Sequence, residues 1–167
     1  NEYRDEDWKA TKDLIALAAS VDRVSIVGVA TQSYASPEGE ITLNEDLAMD
    51  RANSANKAVS RELGRKKIEL DESAMQAMPK GEDWDGFKKA MRASDIADKD
   101  LILRVLEMYS DKNKREEEIK NIAKTYKEIE DRILPDLRRS QVAITYTVEG
   151  YTDEELELLI EHISIAA

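Results

Sequence analysis

Val24-Ser25-Ile26-Val27-Gly28-Val29-Ala30, the turn Tyr34-Ala35-Ser36-Pro37-Glu38-Gly39 and the helix start Thr42-Leu43-Asn44-Glu45 together decide the fold. The first run is apolar and rich in β-branched residues, which predicts a buried strand. Pro37 fixes φ and Gly39 tolerates positive φ, so the chain can reverse there. Thr42 and Glu45 have capping-box spacing, which predicts a helix from about Leu43 to Leu63, stopped by Gly64. Leu47, Ala48, Ala52, Ala55, Val59 and Leu63 share one face of it, and its many alanines let the helix lie close to a sheet. Arg51 interrupts that stripe. It reads either as a snorkelling side chain with a packed stem, or as a guanidinium set at the sheet-helix edge to grip a carboxylate.

Asn44-x-x-Leu47-Ala48-x-x-Arg51-Ala52, placed after a strand and a glycine-containing turn, resembles the signature helix of OmpA-like domains. Leu137-Arg138-Arg139-Ser140-Gln141-Val142 resembles the paired arginines that lead into that family's last strand. The resemblance covers roughly residues 1–70 and 137–149. It implies an α/β (α+β) two-layer sandwich with a βαβ-type sheet and helices on one face. It also implies a peptidoglycan-associating module of a Gram-negative outer-membrane protein, facing the periplasm. Arg51 would then hold a stem-peptide carboxylate, Asn44 would order the turn, and Gly39 would let ligand approach the backbone. Ser36 or Glu38 would complete the pocket, with Arg138 beside it. In typical members an aspartate pairs with the arginine to hold the zwitterionic end of diaminopimelate. That position falls on Ser36, which carries no charge, and Glu38 is the nearest carboxylate to substitute.

The remaining sequence sets bounds. The 167 residues suit one domain, or one domain with an elaborate insertion. A net charge of −11 repels phosphate backbones and anionic lipid, which argues against nucleic-acid or membrane-surface partners. No apolar run reaches the roughly 18 residues of a membrane-spanning helix. The start at Asn1, without Met, reads as a processed protein or an excised fragment. Having no cysteine, the chain forms neither disulfides nor thiolate metal sites, which fits the periplasm without requiring it.

Four segments are expected: 1–73 as the first part of the core, 74–136 as a helical insertion, 137–150 as the last strand, and 151–167 as a C-terminal helix. In the first, Asp5–Ala19 reads as a helix capped by Asp5 or Asp7, with Trp8, Thr11, Leu14, Ile15 and Ala18 on one face. Lys66–Leu70 reads as a short strand. A family strand normally precedes the first helix; either the chain was cut after it, or the sheet has an open edge. In the insertion, Met75, Met78 and Pro79-Lys80-Gly81 read as an exit loop. Helices follow at about Asp83–Ala93, Asp98–Tyr109 and Asp111–Ile133, the last ended by Pro135. Val142, Ile144, Tyr146 and Val148 alternate and should face the helices. Thr152 and Glu155 form a second capping box opening a helix to about Ile163.

Little in the chain carries reaction chemistry. His162 is the one histidine, so no Ser-His-Asp set forms without it, and no phosphate loop occurs. Glu82, Asp83 and Asp85 suit a helix cap better than a metal site, and no cofactor is implied. Glu116-Glu117-Glu118 reads as a solvated face. Trp84 and Phe87 read as core of the insertion, or as an exposed ledge for sugar or protein. Of Arg138 and Arg139, one should pair with an acid and the other meet solvent or ligand. Two functions follow. One is a non-catalytic cell-wall binding module. The other is a domain that kept the fold, lost the ligand, and contacts other envelope proteins through its insertion.

Overall fold

The strand that begins at Val24 continues past its apolar run to Ala35, because its later inward side chains find polar partners. Thr31 and Ser33 are fully buried, and their hydroxyls bond the Asn56 side chain and the Ser140 hydroxyl. The computed structural model describes residues 6–158. Their architecture is α+β. Helix α1 (Glu6–Ser20) leads into strand β1 (Val24–Ala35), helix α2 (Ile41–Arg65) and strand β2 (Met75–Glu82). Helices α3 (Trp84–Ala93), α4 (Lys99–Met108), α5 (Lys112–Asn121), α6 (Ala123–Arg132) and α7 (Leu134–Leu137) come next, then strand β3 (Ser140–Val148). Residues 153–158 are helical.

The sheet order is β2-β1-β3, with β1 parallel to β2 and antiparallel to β3. The parallel pair needs a crossover, which α2 supplies. Ala48 and Ala52 are fully buried on α2, as a close helix-sheet approach requires. One apolar core joins Ile15 and Ala18 of α1, Ile26 and Val29 of β1, and Val59 and Leu63 of α2. A separate core lies among α3–α7, built on Phe87, Met91, Ile102, Ile129 and Leu134. Trp84 and Phe87 belong to it in an edge-to-face contact, so they are not an exposed ledge.

Several expectations are corrected. Lys66–Leu70 is not a strand; the third element of the sheet is β2, where an exit loop was expected. Pro79 hides the signal, and it is tolerated because β2 is an edge strand and the neighbouring Lys80 is bulged out of the β1 register. The Thr42/Glu45 capping box does not form, since α2 starts at Ile41 and Glu40 is its N-cap without a side-chain bond. The box at Thr152 and Glu155 does form, with both reciprocal bonds present. Gly64 does not stop α2. Lys67 takes the left-handed conformation at φ 58°, while the Lys67 and Ile68 amides bond the Gly64 and Leu63 carbonyls in a Schellman arrangement.

The expected helix at 111–133 is two helices that bend at Ile122, which wraps Ile119 and Ile129 around one core. α6 ends at Arg132, ahead of Pro135, which has no N–H to continue its ladder and sits in the first turn of α7, where that lack costs nothing. Asp7 falls within α1, which is already helical at Glu6. Of the helix-facing side chains expected on β3, Val142 and Ile144 join the core, but Tyr146 and Val148 are 50% and 64% exposed. The outer edge of β3 pairs with no strand among the described residues. Asp5, His162 and the end of the expected C-terminal helix, residues 159–163, lie outside the described residues.

Replacing Lys67 by glycine removes the side-chain penalty of the left-handed region. Lys67→Gly should raise stability by about 0.5–1 kcal/mol, seen as a higher urea midpoint. An unchanged or lower midpoint contradicts the assigned helix end.

Candidate functional site

The strand ends converge. The Asp83 amide donates to the Ala35 carbonyl, and the Tyr34 amide donates to the Arg139 carbonyl, at 3.0 and 2.9 Å. Beyond this point the chain turns back through residues 36–40 into α2. Gly39 adopts φ 83°, a conformation that would strain other residues. A cavity of about 330 Å³ opens between this turn, the first turns of α2 and Arg138. Leu43, Leu47 and Arg51 line it at intervals of four, one above another on a single helix face.

Arg51 is half-buried. One guanidinium nitrogen donates to the Tyr34 carbonyl at 2.8 Å, and among the described residues no carboxylate forms an ion pair with it. Its guanidinium thus sits at the sheet-helix edge, where it lines the cavity.

Glu38 also lines the cavity, but its carboxylate is engaged. Its Oε1 accepts from the Ser36 hydroxyl at 2.8 Å and from the Arg138 guanidinium. Arg138 Nε in turn donates to the Ser36 oxygen at 3.0 Å. Ser36 thus bridges the acid and the base. Asn44 is buried and orders the turn, since its amide donates to the Glu38 carbonyl at 2.8 Å and to Glu82 Oε1 at 2.9 Å. Both amide hydrogens are consumed in doing so.

Gly39 does not line the cavity. Its amide donates to Glu116 Oε1 at 2.6 Å, so its backbone faces α5 instead of a ligand. Glu116 is therefore no part of a solvated face; its side chain is only 14% exposed and also meets Lys120 at 2.6 Å. Its separation of 77 residues from Gly39 left no trace in the sequence. Leu47 was read as part of the stripe facing the sheet, whereas it forms, with Leu43, the half-exposed wall of the cavity.

Both arginines before β3 pair with acids. Arg139 pairs with buried Asp83 and stacks its guanidinium over the Tyr34 ring at 4.6 Å. Asp83 also accepts from the Gly86 amide at 2.9 Å, which makes it the cap of α3, as its spacing suggested. Glu82 takes the Trp84 indole N–H at 2.9 Å besides the Asn44 amide. These polar bonds tie the helical core to the sheet.

Compared with protein-family models, with curated sequences and with solved structures, the chain gives no significant match.

Tyr126 of α6 reports on this seam. Burial first, then the charges of Glu38, Glu130 and Glu116, push its phenol up to about 12. A raised phenol stabilises the fold fully below its ordinary value of 10.0, and that contribution is lost as pH rises through about 12. Glu38→Gln removes one of the charges but not the burial. The Tyr126 titration, read by ultraviolet difference against Tyr126→Phe, should move down yet stay above 10.0. An unmoved titration contradicts the placement of α6 beside the turn.

Proposed function

We propose that this chain is a non-catalytic, OmpA-like binding module of the cell envelope. In this reading it lies in the periplasm, holds a peptidoglycan stem peptide, and anchors an outer-membrane protein to the wall. One observation carries it: the signature-helix arginine, Arg51, faces a cavity and forms no ion pair with a carboxylate among the described residues. A half-buried cation without a carboxylate partner is suited to an incoming one. The succession of helix, strand, turn, helix, strand, helical insertion and strand also supports the resemblance. The cavity lining supports a binding role over a catalytic one. It offers guanidiniums, alkyl groups, an amide with both hydrogens used, and a carboxylate already held by Arg138. No helix among the described residues is long and apolar enough to cross a membrane.

A second reading is favoured by the Glu38–Arg138 pair, which occupies the acid that a zwitterionic ligand would need. In it the domain keeps the fold without the ligand and contacts other envelope proteins through α3–α7.

Co-sedimentation with purified peptidoglycan sacculi separates the two. The parent chain should pellet with the sacculi, and Arg51→Ala should lose about tenfold or more of that affinity, the worth of one charge-assisted pair. Equal, background-level sedimentation of both proteins favours the second reading.

A further inference from the structure

The charges around the cavity do not balance, and the imbalance points to the kind of ligand end it takes. Arg51 contributes a positive charge that no carboxylate among the described residues pairs; its one bond is to the Tyr34 carbonyl. Arg138 and Glu38 cancel each other. The Ser36 hydroxyl donates to Glu38 and accepts from Arg138, so it bridges that pair and brings the cavity no negative charge to meet an ammonium. Asn44 has spent both amide hydrogens. What remains is one guanidinium, with most of its five donors unused, above the apolar wall of Leu43 and Leu47.

We infer that the cavity selects a terminal carboxylate whose neighbouring nitrogen is acylated, carried on a small apolar residue, and disfavours a zwitterionic amino-acid end. An amide beside the carboxylate brings no charge. A free ammonium there would be drawn from water into a site whose net charge is already positive, with its one carboxylate engaged elsewhere. The methyl and methylene groups of the ligand residue would lie on Leu43 and Leu47. This inference rests on the reading that Arg51 receives a ligand carboxylate, and it departs from the diaminopimelate end that the resemblance implies.

The test is a nuclear magnetic resonance titration of the full chain with N-acetyl-alanyl-alanine, its C-terminal amide, and free diaminopimelate. The acetylated dipeptide should bind, while its amide should bind about tenfold or more weakly, as should the dipeptide to Arg51→Gln. Diaminopimelate should also be at least about tenfold weaker than the acetylated dipeptide. Ser36→Asp adds a carboxylate that competes for Arg138, so it should raise the affinity for diaminopimelate, with circular dichroism confirming that the variant folds.

The inference is overturned if diaminopimelate binds the parent chain as tightly as the acetylated dipeptide, or if the dipeptide and its amide bind alike. It is also overturned if a folded Ser36→Asp gains nothing, or if the dipeptide does not bind. Sacculi held through Arg51 without dipeptide binding would sink this inference alone. Dipeptide binding without sacculus binding would sink the cell-wall reading alone.

Discussion

Glu38 and Arg138 meet across 100 residues of sequence, with the Ser36 hydroxyl between them. Much of the site follows from that contact. It fixes the turn after β1 against the segment entering β3, and it consumes the acid that would otherwise face Arg51. Had Glu38 turned to Arg51, the guanidinium left without a carboxylate would be that of Arg138. The choice of Arg138 over Arg51 by one carboxylate is what leaves a receptive positive group on α2.

The turn sits on a seam between two apolar cores that share no buried residue. Across the seam the ties are polar: Gly39 to Glu116, Glu82 to Trp84, and Asp83 to Arg139. Each such bond contributes on the order of 1 kcal/mol net, far less than a core of buried side chains. The cores therefore hold the two halves of the chain in shape, and the polar ties set the shape of the site. Asp83 is the firmest of them, because it is buried and caps α3 while pairing with Arg139. A site at such a seam is shaped by the helical segment as well as by the sheet, since α5 reaches the turn through Glu116.

The legible parts of the chain were those with strong local signals. β1 showed in Val24–Ala30, α2 in its alanine stripe, and α3 and α4 in Trp84, Phe87, Ile102, Val105 and Leu106. Arg51, Ser36, Glu38 and Asn44 were placed together by the resemblance of the turn and helix, and they line one cavity. β2 was missed because its sequence, Met-Gln-Ala-Met-Pro-Lys-Gly-Glu, has neither alternation nor β-branched residues; its strand state comes from pairing with β1. Lys67 was missed because a left-handed lysine has no sequence signature, whereas Gly64 three residues earlier looked like the natural stop. Glu116 was missed because its role comes from a tertiary contact alone.

The account rests on Arg51 being open to an outside anion while Arg138 and Arg139 are not. Arginine side-chain resonances test this most directly, with Arg51 assigned by its loss in Arg51→Lys and acetate added as the simplest carboxylate. The account predicts that the Arg51 Nε–H signal shifts saturably with acetate, while those of Arg138 and Arg139 stay in place. An Arg51 signal indifferent to acetate, or a shift at Arg138 in its stead, would contradict it.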